Sequence, residues 1–363
     1  MKNSFKLLLS TLFLSSILFT ACDTGEYEVP SEYSFENVAY NGQIERLAML
    51  TEIKSYLSTA NTAGTTLDAA KLKAMYSNDV ANAGFSGAYG KQLKSKTFEN
   101  ETATFEALMD ESEIASQSTS AASNGTAGIS SSADGEKNYL VSAGGLEYAQ
   151  VIEKGLMGAC FYYQATSVYF GTDKMNVDNE IVTEGEGTEM EHHWDEGFGY
   201  FGAQTSFPTS TDGLVFWAKY SNTVNGAINT NQRVMDAFII GRAAISNDDL
   251  ETRDAAITDT RAVWEEIVAG SAIHYINGAL ENMTDDTRKL HSLSEAAAFA
   301  YSLQFNEGKI VTNAQVTEVL ALLGGSSDFM MMNFYDATEA DLNTAKDNLA
   351  NLFNWDDATA DAL

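Results

Sequence analysis

The sequence predicts an all-α protein, built as a helical bundle, and two observations carry that prediction. Proline occurs only twice among the 363 residues, at Pro30 and Pro208, so few positions would interrupt a helix. Alanine and leucine are abundant at the three- and four-residue spacing of amphipathic helices, whereas runs with strand-like alternation are scarce. The length is ample for one large domain or two modest ones.

The predicted helices are amphipathic or apolar runs, separated by loops. In order they are Asn41–Leu57, Leu67–Tyr76, Glu101–Ile114, Gly145–Phe170, Thr188–Gly202, Asn225–Ser246, Asp248–Gly270 (with a possible extension to Ala279), Thr287–Asn306, Val316–Leu323 and Asp341–Phe353. Asn41–Leu57 carries an apolar stripe from Ile44 to Leu57. Gly155 and Gly158 would let another helix approach the run Gly145–Phe170 closely.

The loops differ from the helices in composition. Ser116–Asp134 is rich in Ser, Ala, Gly and Thr, so it is predicted to be an exposed, flexible loop. Gly171–Glu186 is acidic, but it lacks the glycine and the terminal glutamate of an EF-hand calcium loop. Glu153 interrupts an apolar run, either as an edge-facing or N-cap-paired acid or as an inward-facing ligand.

The chain begins with what is predicted to be an export signal. Lys2 and Lys6 precede the apolar run Leu7–Phe19, which is too short to remain as a membrane span. Small residues then precede Cys22, which predicts a lipobox, cleavage after Ala21 and a lipid on Cys22. The alternative is a plain signal peptide cut near Ala21. A lipid on Cys22 would tether the mature chain to a membrane of a bacterial cell envelope, the outer membrane in preference to the inner, facing the periplasm or the surface.

The charge of the chain excludes one class of partner. With 51 acidic and 21 basic residues the net charge is −30, and loss of the signal would also remove Lys2 and Lys6. Phosphate binding needs the opposite sign, so nucleic acid is not an expected partner. With Cys22 lipidated, Cys160 would have no disulfide partner, and its apolar surroundings favour a packing role.

The strongest chemical signal is Thr188–Gly202, TEMEHHWDEGFGYFG. On a helix, residues three and four apart share a face, so His193 and His192 both neighbour Glu196, and Glu189 neighbours His192. Imidazole and carboxylate on one face suit a divalent or ferric ion, or a general acid–base pair. Two adjacent imidazoles beside acids would be costly to bury without a partner or a metal.

The other histidines, His274 and His291, also lie in predicted helices of the second half. His274 is flanked by apolar residues and is predicted to be structural, whereas His291 lies one turn from Glu295. The predicted metal ligands are therefore His193 and Glu196, assisted by His192 or Asp195. His291 and Glu295 would close the same site from the second half of the chain.

Several enzyme classes have no motif in this sequence. His193 and Glu196 do not form HExxH, which needs two histidines four apart, and a di-iron site would need Glu-x-x-His on two helices. There is no GxSxG, no phosphate loop, and no GxGxxG that opens a helix after a strand. Hydrolase, kinase and dehydrogenase functions are therefore not predicted, and no catalytic residue is assigned.

Four stretches resemble one family of envelope lipoproteins. They are VIEKGLMGACFYY, EHHWDEGFGYFG, AFIIGRAAI and SEAAAFAYSLQFN, and they are similar to the group called domain of unknown function 4856 over most of Glu36–Phe353. His193 and Glu196 also resemble the His-x-x-Glu motif of imelysin-like proteins, which include M75 peptidases and iron-regulated envelope proteins. The glycine that closes that motif comes one residue later here.

The resemblance implies two bundle-like helical halves, with the His-x-x-Glu site near the cleft between them and an association with iron. The predicted organisation is a signal peptide, a lipid anchor with its tether, and two halves: residues 1–21, 22–35, 36–211 (with the flexible loop 116–134) and 212–363. The function predicted first is a cell-envelope lipoprotein that binds a metal ion, iron before others, or a metal-bearing ligand, as an accessory to iron uptake. Its partners would be the membrane, through Cys22, and an envelope iron-uptake protein.

Two alternatives stay open. The first is an M75-like metallopeptidase, in which His193 holds the metal and Glu196 acts as the base. The second is a non-enzymatic scaffold or glycan-binding lipoprotein, for which the 16 tyrosines and 19 phenylalanines would suit stacking on sugars. In that case the His/Glu cluster would be a buried structural network.

Overall fold

The computed structural model describes residues 27–363, which form α-helices and one small sheet, so the predicted fold class is confirmed. The helices in this part of the chain are α1 (Asn41–Thr59), α2 (Ala69–Ser77), α3 (Thr102–Ser116), α4 (Tyr148–Leu156), α5 (Thr172–Met175), α6 (Glu189–Gly199), α7 (Phe216–Ile228), α8 (Thr230–Ser246), α9 (Leu250–Leu280), α10 (Asp286–Ser302), α11 (Asn313–Gly324), α12 (Glu339–Leu352) and α13 (Asp357–Ala362). Every predicted helical segment overlaps one of them.

The predicted signal peptide and Cys22 lie outside the described residues. Within residues 27–363, no helix is both long enough and apolar enough to cross a membrane. Tyr33, in the predicted tether, is only 1% exposed and packs face to face against Phe198, with ring centroids 3.8 Å apart. The chain therefore packs onto the fold before Glu36, where the first helical half was predicted to begin.

Helix α1 follows the predicted apolar stripe with one exception. Leu47, Leu50, Ile53 and Leu57 are buried, whereas Ile44 is 51% exposed. The stripe therefore begins at Leu47, one turn after Ile44, and it faces α4.

The segment predicted to be a flexible loop contributes a strand. β1 (Gly128–Ser131) pairs antiparallel with β2 (Asn138–Val141), so that Gly128 lies opposite Val141. The connection between them turns at Gly135, whose φ of +75° suits glycine. Part of the low-complexity segment is thus ordered by pairing with residues that follow it.

Helix α4 continues the buried run predicted at Gly145–Phe170. It passes into π-helical turns at Met157–Tyr162 and Gln164–Tyr169, which sequence periodicity did not indicate. A Cβ on Gly158 would lie 2.9 Å from the Cα of Ser302, on α10. The predicted close approach of another helix at this glycine is therefore confirmed.

The predicted single helix Asn225–Ser246 is two helices. α7 ends and α8 begins at Asn229, which has left-handed backbone angles (φ 50°, ψ 53°). Asparagine tolerates this conformation better than most residues, so the chain can turn there between two helical segments that the sequence pattern joins into one. In contrast, α9 extends through His274 to Leu280, which agrees with the longer of the two predicted helices, the one ending at Ala279.

One hydrophobic core runs through the described residues. Helices from both predicted halves contribute to it: α4 packs against α10, and Trp217 of α7 donates a hydrogen bond from Nε1 to the backbone oxygen of Met157 at 3.0 Å. Cys160 is fully buried in this core as a free thiol, and burial raises its pKa to about 12. The division into halves near residue 211 stays a prediction.

Candidate functional site

Helix α6 carries the predicted motif, and its start is fixed by a capping box. Thr188 Oγ1 accepts a hydrogen bond from the backbone N–H of Glu191, and the Glu191 side chain accepts one from the backbone N–H of Thr188. These reciprocal bonds satisfy donors that a helix end leaves free. The cap sets the register in which His192, His193 and Glu196 follow.

One oxygen of Glu196 is anchored by residues far away in sequence. Oε1 accepts hydrogen bonds from Gln43 Nε2 on α1, at 2.9 Å, and from the hydroxyl of Tyr169, at 3.0 Å. Gln43 is 1% exposed and Tyr169 is 3% exposed, so the anchor is buried. The carboxylate is therefore held in one orientation, with Oε2 on its other side.

Two imidazoles face that second oxygen. His193 Nδ1 lies 3.3 Å from Glu196 Oε2, and His192 Nε2 lies 3.9 Å from the same atom. The predicted proximity of both histidines to Glu196 is thus observed. Glu189, however, lies beside His193, with 3.7 Å between its Oε1 and Nε2, where spacing predicted His192. We call His192, His193 and Glu196, with Tyr169 and Gln43, the α6 cluster.

Glu196 is ionised over the physiological pH range. Burial alone would raise its pKa, but hydrogen bonds with His193, Gln43 and Tyr169 and the nearby charge of His192 outweigh burial and lower the pKa to about 2. A carboxylate that is ionised and fixed through one oxygen is a suitable ligand for a cation. With a pKa of about 2 it is a weak general base near pH 7.

Lys174, on α5, lies on the other side of His193. Its Nζ is 3.3 Å from His193 Nε2. Because a lysine ammonium can only donate, Nε2 accepts this bond, and the ring proton is then on Nδ1, facing Glu196. The same tautomer satisfies both contacts of the imidazole.

Asp195 points away from the α6 cluster. Its Oδ1 accepts hydrogen bonds from the Tyr33 hydroxyl, at 2.6 Å, and from Arg242 Nε of α8, at 3.0 Å. Burial raises the Asp195 pKa to about 6, although Arg242 opposes the rise. Its other oxygen is buried and has no partner among the described residues. The structure thus places this predicted assisting ligand in an ion pair between α6 and α8.

His291 and Glu295 lie in a second cluster, on α10. His291 Nδ1 is 2.7 Å from Glu147 Oε2, and Nε2 is 3.4 Å from Glu295 Oε1. Glu147 lies at the start of α4 and is 1% exposed, and Tyr139 stacks on the imidazole with ring centroids 4.6 Å apart. We call Glu147, Lys154, His291 and Glu295 the α10 cluster.

Lys154 offsets part of the negative charge of the α10 cluster. Its ammonium forms an ion pair with Glu153 and lies 3.9 Å from Glu295 Oε2, to which Tyr220 also donates, at 3.3 Å. Burial would lower the Lys154 pKa, but the neighbouring Glu295 and Glu153 raise it above its ordinary value. Glu153 is therefore an acid paired with a lysine side chain, and not with a helix N-terminus.

The two clusters do not share contacts within residues 27–363. No hydrogen bond or ion pair there joins His291 or Glu295 to His192, His193 or Glu196. The structure does not bring the six predicted ligands together. In the same part of the chain, no group of three or more His, Cys, Asp or Glu side chains is arranged to enclose a metal ion.

Two side chains of the α6 cluster nevertheless fit a metal. An ion held about 2.1 Å from a nitrogen and an oxygen places these atoms roughly 3.0–3.4 Å apart. His193 Nδ1 and Glu196 Oε2, at 3.3 Å, match that separation, and His192 Nε2, at 3.9 Å, lies just outside it. These residues could hold an ion only with further donors from water or from a bound molecule.

Cavities occur elsewhere on the surface. One of about 620 Å³ lies between β1 and the start of α10, where Asn124, Asp285 and Tyr335 contribute to its wall. Another, of about 310 Å³, is lined by Phe98, Tyr163 and other residues. Neither is lined by a residue of the α6 or α10 cluster, so they do not extend these sites.

The fold and the site define the class of protein. It is a mostly helical bundle with a candidate ligand site, the His-x-x-Glu cluster, on α6. The chain belongs to the family described as Domain of unknown function (DUF4856), which matches residues 30–355. No curated protein and no solved structure matches it. The similarity to imelysin-like proteins stays a prediction from the motif.

Proposed function

We propose that this chain is a cell-envelope lipoprotein that binds a metal, with iron as the first candidate, at the α6 cluster, and that it serves iron uptake as an accessory protein. The observation that carries the proposal is the geometry of Glu196. One of its oxygens is anchored by Gln43 and Tyr169, and the other lies 3.3 Å from His193 Nδ1, at the separation of two ligands of one ion.

The charge state of the cluster suits a cation. Glu196 is ionised, and its side chain is 18% exposed, so the carboxylate is accessible from solvent. A metal on Nδ1 of His193 would displace the proton of that nitrogen, and the neutral ring would keep one proton. The proton would move to Nε2, which then faces Glu189, at 3.7 Å.

The same geometry argues against the M75-like peptidase alternative. A general base works best when its pKa lies near the operating pH, and Glu196 has a pKa of about 2. One of its oxygens is also occupied by two hydrogen bonds. A protein digest with and without chelator tests this alternative, for which we expect no chelator-sensitive cleavage.

The metal content of the protein tests the proposal. Wild type, His193→Ala and Glu196→Gln are purified without chelators or affinity tags, and metals are measured by mass spectrometry before and after equilibration with iron. Glu318→Gln, an exposed carboxylate on α11, is the matched control. We expect uptake by wild type and the control, and its loss in both site variants.

Equal and negligible uptake by all four proteins would contradict the proposal. If the site variants melt at lower temperature but take up as much metal as wild type, the α6 cluster is a structural network, as the scaffold alternative requires. Circular dichroism of each variant separates loss of a ligand from loss of the fold.

The envelope location is a further part of the proposal, and it rests on the first 22 residues alone. Residues 1–21 would be removed, and Cys22 would carry the lipid that anchors the chain. We expect wild type to incorporate labelled palmitate in a bacterial host and to fractionate with membranes. Cys22→Ser should do neither, and equal labelling of both proteins would contradict the anchor.

A further inference from the structure

The predicted tether meets the fold at Tyr27, beside the corner between α8 and α9. The Tyr27 hydroxyl donates a hydrogen bond to Asp249 Oδ2, at 3.1 Å, and Asp249 caps the start of α9. Two residues later, Val29 is partly buried and packs against the core. The place where the tether joins the fold is therefore fixed by contacts, and it lies next to the first turn of α9.

A lipid on Cys22 would hold this corner close to a membrane. Four residues, 23–26, separate Cys22 from Tyr27. A fully extended chain spans at most about 3.6 Å per residue, so Tyr27 can lie no further than about 18 Å from the lipidated cysteine. The side of the protein that faces the membrane must therefore include the α8–α9 corner or adjoin it.

Three exposed aliphatic side chains lie at this corner. Leu250, the first residue of α9, is 44% exposed, while Ile181 and Val182, in the loop before α6, are 73% and 61% exposed. Single exposed aliphatic side chains are common on soluble proteins, whereas a group of them at one place indicates a surface that meets a partner. We call Ile181, Val182 and Leu250 the corner patch.

The loop that carries Ile181 and Val182 is tied to the corner by hydrogen bonds. Asn179 Nδ2 donates to the backbone oxygen of Ile245, at 2.8 Å, and to Asp248 Oδ1, at 2.5 Å. Both acceptors belong to the end of α8 and the turn that follows it. The two aliphatic side chains are therefore exposed on a segment that is fixed beside the tether.

The charged residues around the corner patch are acidic, and they determine which membrane surface it can meet. No lysine or arginine occurs in residues 23–30, 176–187 or 246–252, and the acids of the two latter segments are Asp178, Glu180, Glu184, Glu186, Asp248, Asp249 and Glu251. Anionic lipids give a membrane a negative surface potential, which repels carboxylates. The corner patch therefore fits a surface of zwitterionic lipids.

We propose that the corner patch lies on a zwitterionic membrane surface when the chain is anchored through Cys22. This inference rests on the lipid anchor of the proposed function, and it names the face of the protein that meets the membrane. The short tether gives the patch a high effective concentration at the lipid surface, so a few aliphatic side chains suffice to orient the protein there.

Tryptophan fluorescence in vesicles tests the inference. Wild type, Ile181→Trp and Val80→Trp are produced as full chains in a bacterial host, purified with their lipid, and reconstituted into phosphatidylcholine vesicles with and without brominated acyl chains, which quench nearby tryptophan. Val80, exposed in the loop after α2, is the matched control. We expect brominated lipid to quench Ile181→Trp more than wild type, and to quench Val80→Trp no more than wild type.

A second set of variants tests whether the aliphatic side chains orient the protein. Brominated lipid should quench Leu250→Trp, and adding Ile181→Ser and Val182→Ser should reduce that quenching. Anionic phosphatidylglycerol vesicles at low ionic strength should reduce it as well, because the carboxylates around the patch are then repelled.

The outcomes separate the inference from the lipid anchor. Equal quenching of Ile181→Trp and Val80→Trp in proteins that associate with vesicles would overturn the corner patch as the membrane face. So would quenching of Leu250→Trp that the serine changes leave unaltered, or that is as strong in anionic vesicles. Wild type that does not associate with vesicles would contradict the anchor itself, and the inference would fail with it.

Discussion

Arg242 of α8 and Asp195 of α6 form an ion pair in the core, with 3.0 Å between Nε and Oδ1 and side-chain exposures of 1% and 0%. The same guanidinium also pairs with Glu191, which caps the start of α6. Arg242 therefore holds the helix that carries the His-x-x-Glu motif against its neighbour. Because burial removes the water that hydrates these charges, each depends on the other for its stabilisation.

Replacing Arg242 with methionine should destabilise the fold strongly. The change leaves Asp195 buried without its counter-charge, which costs about 3–5 kcal/mol when one partner of a buried pair is removed. Urea unfolding followed by circular dichroism measures the loss. The double variant Arg242→Met/Asp195→Asn should recover part of it, and a double variant as unstable as the sum of both single changes would contradict the coupling.

Glu196 should contribute to stability in a pH-dependent way. Its pKa is lowered from an ordinary 4.5 to about 2, so its contribution is present above about pH 4.5 and is lost as the pH falls towards 2. The difference in unfolding free energy between wild type and Glu196→Gln should shrink over that interval. A difference that stays constant between pH 7 and pH 3 would show that the carboxylate is not stabilised by its partners.

Gly158 should not accept a side chain. A Cβ there would contact the side chain of Ser302 and lie 2.9 Å from its Cα, so Gly158→Ala would push the π-helical turn that follows α4 away from α10. We expect a loss of about 1–3 kcal/mol in unfolding free energy, the usual cost of overpacking. Gly226→Ala on α7, where a Cβ meets nothing within 4 Å, is the control and should stabilise by up to about 1 kcal/mol.

His291 should titrate above its ordinary pKa because of Glu147. Burial would lower the His291 pKa, but the hydrogen bond with Glu147 and the charges of Glu147 and Glu295 raise it. The stabilisation is therefore complete below pH 6.5 and is lost as the pH rises through the folded-state pKa. In Glu147→Gln, the His291 pKa measured by NMR titration should fall, and an unchanged pKa would contradict the pairing.

The helices could be predicted because their signal is local. Apolar residues at helical spacing indicated α1, α4, α9 and α10, whose buried faces follow that spacing. The break at Asn229 was missed although Gly226, Thr230 and Asn231 beside it are weak helix formers, because apolar residues keep helical spacing on both sides. Strand β1 was not predicted because it forms by pairing with β2, and the composition of a segment does not show which segment it pairs with.

The contacts of the candidate site also fall into two groups: those that helix spacing predicts and those that depend on tertiary packing. The contacts of Glu196 with His193 and His192 follow from helix spacing and were predicted. Its bonds with Gln43 and Tyr169 join residues 153 and 27 positions apart, and the pairing of His291 with Glu147 spans 144. Such partners depend on how the helices pack, so a single sequence does not predict them. For the same reason, the sequence did not show that the α6 cluster and the α10 cluster are two sites.

X-ray absorption of the iron-loaded protein tests the metal site most directly. We predict that the wild-type spectrum contains scattering from a coordinated imidazole together with oxygen ligands. The imidazole contribution should disappear in the double variant His192→Ala/His193→Ala and persist in His291→Ala. An imidazole contribution that survives in the double variant, or a wild-type protein that retains no iron, would contradict a metal site on α6.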